Sequence, residues 1–140
     1  MTFSFGQAER ERIEVEVPEC SPAPVNDYHW LTVRITVQAG GFHGDVAASI
    51  IADDLVRFLD QLRPLYESLS GTAEFSTLEK QLGLRLVGDG KGHIDLTGEV
   101  ADYAGIGNRL HFALHFDQTQ LRASICELER ITSQIPSRVA

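Results

Sequence analysis

A repeated pattern constrains this chain most: an apolar strand leads to an aspartate and then to an amphipathic helix. The first copy is ASIIADDLVRFLDQLRPLYESL at residues 48–69, and the second is RLHFALHFDQTQLRASICELERI at residues 109–131. Between the two copies, apolar and polar residues alternate in the manner of half-buried strands. The chain is therefore predicted to combine a sheet with two helices.

Alternation with a period of two locates the strands. The predicted strands cover residues 13–17, 29–39, 42–51, 71–76, 82–88, 92–103 and 108–116. Glycine-rich segments between neighbouring strands, at residues 40–41, 88–92 and 104–108, are typical of hairpin turns. Because these connections are short, the strands are expected to pair antiparallel.

The two helices are predicted from apolar stripes at three- and four-residue spacing. The first covers residues 53–69, with Asp53 or Asp54 as its N-cap. The second begins at Asp117, where Gln120 three residues later completes a variant of the capping box. The predicted fold class is α+β: a mainly antiparallel sheet of about seven strands with two helices packed on one face, in the order β-β-β-α-β-β-β-β-α.

Size and charge limit the kind of protein this is. The 140 residues suit a single domain, 1–140, and the 43% hydrophobic and 23% charged residues are those of an ordinary globular chain. The net charge of −8 disfavours nucleic acid as a partner, since phosphate binding needs a cationic surface. It suits a basic protein partner, or solubility alone. Without a secretion signal or a long apolar run, the protein is expected in the cytoplasm and not in a membrane.

Two cysteines, Cys20 and Cys126, are present. In a reducing compartment both are expected to be free thiols, with Cys126 on or near the buried face of the second helix. A structural disulfide is the alternative.

The sheet face opposite the helices carries the candidate binding residues. The residues with this parity are Trp30, Arg34, His43, Asp45, Glu74, Arg85, His93, Asp95, Glu99, His111 and His115. They make up either an ordinary solvated face or a binding face, and several of the histidines could be neighbours across strands. Two pairs with a spacing of two, His43 with Asp45 and His93 with Asp95, could each form a hydrogen-bonded or cross-strand unit.

No metal, cofactor or catalytic site is predicted. His111 and His115 have a spacing that would share a metal on a helix, but on a strand they lie about 13 Å apart. The nucleophile elbow, the phosphate loop, the zinc-protease motif and the paired C-x-x-C motif do not occur. Cys126 inside a helix suits core packing better than nucleophilic attack. Enzyme activity is therefore not expected.

Trp30 is the only tryptophan, and its parity places it on the polar side of its strand. It either packs beneath the proline-rich loop before it or serves as an exposed interface anchor. Tyr28 and Tyr103 could join it in the second case.

Three features stand in order over residues 29 to 131: a strand pair, a G-x-G-H-I turn and a D-Q-T-x-L helix start. Their residues are Trp30, Val33, Ile35, Gly41, Phe42, Gly90, Gly92, His93, Asp117, Gln118, Thr119 and Leu121. In these features the chain resembles the small bacterial immunity proteins of the WapI type, which protect against the wall-associated toxin WapA.

The resemblance implies a non-catalytic binding protein that neutralises a toxin by covering its active surface, with a basic toxin domain as the expected partner. It identifies no toxin-binding residues. Two other functions stay open at this point. One is a small-ligand-binding or enzymatic domain that uses the polar histidine and aspartate face. The other is a homo-oligomer that pairs through an edge strand or the Trp30 face.

Overall fold

The computed structural model describes residues 1–7, 10–18 and 30–135. Within these residues the chain forms eight strands and two helices. The strands are β1 (Thr2–Gln7), β2 (Glu11–Glu16), β3 (Trp30–Ala39), β4 (Phe42–Ile51), β5 (Ser70–Ser76), β6 (Leu82–Asp89), β7 (His93–Ala101) and β8 (Arg109–Asp117). Helix α1 (Ala52–Ser68) follows β4, and helix α2 (Gln118–Thr132) follows β8.

The strands form two antiparallel sheets of four, in the orders β1-β2-β3-β4 and β5-β6-β7-β8. Each half of the chain is thus a four-stranded meander followed by a helix. The α+β class and the antiparallel pairing predicted from the sequence are confirmed, and the predicted count of about seven strands becomes eight. The additional strand is β1, a short segment in which only Phe3 and Phe5 mark a buried side.

The two helices cover the first strand of the opposite sheet. Helix α1 packs beside β5, where the Gln61 side chain accepts a hydrogen bond from Glu74 N (2.9 Å) and donates one to Glu74 O (3.0 Å). Helix α2 packs beside β1, where Ser4 N donates to Glu127 (3.1 Å) and Ser4 O accepts from Ser124. The side chains of each helix therefore bond to the outer backbone groups of an edge strand, which would otherwise be open to pairing with another chain.

This arrangement differs from one sheet with both helices on one face. A half-buried strand needs an apolar cover, and another sheet provides that cover as well as a helix does. Here the inner faces of the two sheets and the apolar stripes of both helices share one hydrophobic core. The chain enters the second sheet at β5 through α1, so β4 and β5 do not pair.

Aromatic rings join the two sheets and helix α1 at the centre of the core. Phe58 of α1 lies 5.8 Å from Phe5 of the first sheet and 5.2 Å from Phe75 of the second, measured between ring centroids. Phe5 also contacts Phe116 of β8 at 5.9 Å. Rings at these separations add about 0.5 to 1.5 kcal/mol per pair beyond their buried area.

Three predicted turns and one predicted cap are confirmed. Residues 40–41 form the turn between β3 and β4. In the β6–β7 turn, Asp89 Oδ1 accepts hydrogen bonds from the backbone N–H groups of Lys91 (2.7 Å) and His93 (3.1 Å), and these bonds lower the pKa of Asp89. The segment 104–108 connects β7 to β8. Asp117 caps α2, accepting from the backbone N–H groups of Thr119 (2.9 Å) and Gln120 (3.2 Å).

The start of α1 differs from the prediction that Asp53 or Asp54 is its cap. The N-cap position is Ile51, which has no acceptor side chain, and both aspartates lie in the first helical turn. Asp54 still bonds to the helix start, since its Oδ2 accepts from Ile51 N at 3.2 Å. Its carboxylate also pairs with Arg57.

Asp54 gives the fold a testable pH dependence. Burial raises the pKa of its carboxyl group, against the opposing effects of Ile51 N–H and Arg57, so the folded state binds this proton more tightly than the unfolded state. The stability that Asp54 contributes is therefore present at low pH and is lost as pH rises through the raised pKa. We expect the free energy of unfolding of the wild type to rise relative to that of Asp54→Asn as pH falls from about 7 to about 4. Urea denaturation of both proteins across this range measures the difference, and a difference that is constant or shifts the other way would contradict the assignment.

Candidate functional site

The predicted candidate residues lie on the outer faces of the two sheets. On the first sheet, Arg34 Nη2 bonds to Asp45 Oδ2 at 2.9 Å across β3 and β4, and this contact raises the pKa of Arg34. His43 lies on the same face, opposite Gln38. Trp30 begins β3 opposite Ile51, with 40% of its surface exposed. The loop that it was predicted to pack beneath lies outside the described residues.

The outer face of the second sheet carries the other three candidate histidines. His115 Nδ1 lies 2.7 Å from Asp95 Oδ1 on the neighbouring strand, and His111 Nδ1 lies 3.7 Å from Glu99 Oε2. The predicted pairing of His93 with Asp95 is not formed, because His93 is opposite Asp117 and Asp95 is opposite His115. The His115–Asp95 and His111–Glu99 contacts each join residues that are directly opposite in register.

The second sheet also holds the remaining predicted residues. Glu74 and Arg85 are opposite each other, with 3.5 Å between Oε1 and Nε. Arg109 joins Glu99 at 3.4 Å. A shallow groove of about 320 Å³ crosses this face and is lined by the side chains of Glu74, Ser76, Arg85, Thr97, Glu99 and His111.

The structure separates the residues that a single histidine site would need. His43 is on the first sheet, whereas His93, His111 and His115 are on the second. The side chains of His111 and His115 are about 70% exposed, and they contact different carboxylates, those of Glu99 and Asp95. Among the residues that the structure describes, no three His, Cys, Asp or Glu side chains could hold a metal ion together. The arrangement gives two polar, cross-linked faces suited to contact with another molecule.

A second groove was not found from the sequence. It lies between the outer edge of β4 and the β7–β8 loop, and it has a volume of about 480 Å³. It is lined by Asp45, Val46, Ala47, Gln81, Asp102, Tyr103 and Ala104. Of these, Asp45 and Tyr103 are candidate residues from the sequence, and the other five carry no local pattern that points to a groove.

The cysteine prediction is resolved in part. Cys126 is a free thiol and is exposed, so its predicted position on or near the buried face of α2 is wrong. The helix buries Leu121, Ser124, Ile125 and Leu128 instead. Cys20 lies outside the described residues.

The fold and these faces define a small α+β protein with two exposed polar sheet surfaces. Residues 4–136 match the immunity protein WapI-like family, and the chain belongs to this family. The match covers nearly the whole chain, including the N-terminal segment that the sequence resemblance left out. Immunity proteins are generally non-catalytic, so the assignment agrees with the expectation that the chain is not an enzyme.

Solved structures add a likeness of fold. The chain is similar to the plant transcriptional regulator PBF-2, with a TM-score of 0.53 and 10% identity over 96% of this chain and 81% of that one. WHY1 from Arabidopsis thaliana gives 0.53 and 9%, covering 96% and 84%. WHY3 from the same plant gives 0.52 and 9%, covering 96% and 87%. At this identity the likeness is one of fold alone.

Among curated proteins, none matches the chain in sequence. Neither helix in the described part of the chain is long and apolar enough to cross a membrane.

Proposed function

We propose that this chain is a cytoplasmic immunity protein that neutralises a cognate bacterial toxin by binding it. The observation that carries the proposal is the family match over residues 4–136. Neutralisation by binding needs a stable surface complementary to the toxin, and it needs no chemistry from the immunity protein itself. The two sheets, joined through one core, provide such surfaces.

Charge supports a basic partner. The net charge of −8 would attract a cationic toxin domain and raise the rate of encounter, while adding less to the final affinity. The same charge opposes binding to nucleic acid. The alternative of a histidine-based ligand site loses its support, because His43 lies on a different sheet from the other candidate histidines.

Co-expression with the toxin encoded beside its gene tests this function. We expect the chain to restore growth to cells that produce the toxin, and the purified pair to elute from gel filtration as one complex. A toxin domain from an unrelated pair is the matched control, and neither rescue nor complex is expected with it. The association rate should fall as salt rises from about 0.05 M to about 0.5 M, because salt screens long-range attraction. The proposal fails if the cognate toxin is neither neutralised nor bound.

A further inference from the structure

Gln81 joins β4 to the end of β7 at the second groove. Nε2 of this buried side chain lies within hydrogen-bond distance of Ala47 O of β4 (3.2 Å), Ala101 O of β7 (3.3 Å) and Asp102 O (3.5 Å). Its two N–H groups can therefore donate to β4 on one side and to the end of β7 on the other. The edge of the first sheet is thereby fixed to the loop that follows β7 in the second sheet. Hydrogen bonds therefore hold the two walls of the groove in place relative to each other.

The β7–β8 loop, residues 102–108, is fixed in the same way. Asp102 N donates to Asn108 O at 3.1 Å and closes the loop. The Asp102 carboxylate accepts from Asn108 N at 2.8 Å and from Asn108 Nδ2 at 3.2 Å. Gly107 has a φ of +104°, and a Cβ there would lie 2.3 Å from Asp102 Oδ1, so the loop depends on this glycine. A loop held in one conformation loses little entropy when a partner binds.

This fixed loop exposes two large apolar side chains to solvent. Tyr103 is 67% exposed and Ile106 is 79% exposed. Leu78, also 67% exposed, lies in the neighbouring β5–β6 loop, which is bonded to β8 through Arg109 Nη1 and Lys80 O at 3.4 Å. Exposed apolar residues beside a rigid groove are typical of interaction sites, and tyrosine is enriched among the residues that dominate binding energy.

The charge of the groove is negative. The hydrogen bonds from Asn108 lower the pKa of Asp102 and keep its carboxylate ionised. Because asparagine is neutral, these bonds do not neutralise the negative charge. Within the described residues Asp102 has no ion-pair partner, whereas Asp45 is paired with Arg34. A lysine or arginine side chain of a partner would therefore find an unneutralised carboxylate at the wall of the groove.

We infer that the groove between β4 and the β7–β8 loop, with Tyr103 in its lining and Ile106 exposed further along the same loop, is part of the surface that docks a basic toxin domain. The inference rests on the proposed function and deepens it by naming the contact surface. A cationic side chain of the toxin enters the groove beside Asp102. Tyr103 and Ile106 pack against apolar surface around that side chain and exclude water from the contact.

Binding of purified variants to the cognate toxin, by calorimetry or surface plasmon resonance, tests the surface. Tyr103→Ala and Ile106→Ala are each expected to raise the Kd by about 30-fold or more. Both side chains are exposed, so the melting temperature is expected to stay at the wild-type value. Val56→Ala, an exposed apolar position on helix α1 and on neither sheet face, is the matched control and should leave the Kd unchanged.

Asp102→Asn tests the electrostatic part of the contact. Asparagine keeps the Oδ1 acceptor for Asn108 N, but it removes both the charge and the Oδ2 acceptor for Asn108 Nδ2. Salt distinguishes the two losses, because salt screens only the charge. We expect the Kd to rise by about 3- to 10-fold at low salt, and this effect to shrink as salt screens the pair in the wild type.

Binding of the wild type and of the variants distinguishes failure of the proposed function from failure of the docking surface. If the wild-type protein does not bind the toxin, the proposed function fails, and the docking surface falls with it. If the wild type binds and the Tyr103 and Ile106 variants bind equally well, only the docking surface is overturned. Trp30→Ala tests the alternative surface on the first sheet. A large loss of affinity for this variant, with none for Tyr103→Ala, would place the contact on the first sheet and overturn the groove.

Discussion

Replacing Phe58 with alanine is expected to lower the free energy of unfolding by about 3 to 5 kcal/mol, the usual cost of removing a buried ring. Phe58 is fully buried and contacts Phe5 of the first sheet and Phe75 of the second. Removing its ring would leave a cavity where both sheets and α1 meet, and the surrounding strands are held by their ladders and cannot close it. Since small domains are stable by about 5 to 15 kcal/mol, the loss is a large part of the total.

Urea denaturation followed by circular dichroism measures this loss. Phe42→Ala is the matched control, because Phe42 is the same residue type at the end of a strand but is 69% exposed. We expect its effect to stay within about 0.5 kcal/mol. Phe58→Leu should fall between the two and remains measurable if Phe58→Ala does not fold. Equal losses for Phe42→Ala and Phe58→Ala would contradict the central place of Phe58 in the core.

The class of the fold could be predicted because local patterns report which side of a strand or helix is buried. Seven strands, both helices and the Asp117 cap follow from alternation, apolar stripes and capping residues. The division into two sheets could not be predicted in this way. Alternation shows that a strand has a buried face, but it does not show whether a helix or another sheet covers that face.

The candidate site was predictable only in part for the same reason. Parity placed His111, His115 and Asp95 correctly on an outward face. It could not separate His43 from them, because the separation depends on which sheet β4 joins. The Gln81 contacts join positions that are 20 and 34 residues apart. No local pattern records contacts of this range, so the groove that they build was not found.

Gly98 to alanine is the second substitution with a large expected effect. Gly98 lies in β7 directly opposite Phe112, and a Cβ at this position would lie 2.6 Å from Phe112 Cζ and 3.0 Å from Leu84 Cδ2. Alanine normally stabilises a strand relative to glycine by up to about 1 kcal/mol. Here the buried Phe112 ring must move within a close-packed core, and overpacking of this kind costs about 1 to 3 kcal/mol. We expect the clash to exceed the gain, for a net loss of about 2 kcal/mol measured by urea denaturation.

Gly44→Ala is the matched control for this substitution. Gly44 lies in β4, and a Cβ there would meet only Leu110 Cδ2, at an ordinary 3.5 Å. The same change is therefore expected to be neutral or slightly stabilising at Gly44. Combining Gly98→Ala with Phe112→Leu should recover part of the loss, because the smaller side chain leaves room for the new methyl group. If Gly98→Ala is as well tolerated as Gly44→Ala, the Phe112 ring does not depend on the space that Gly98 leaves.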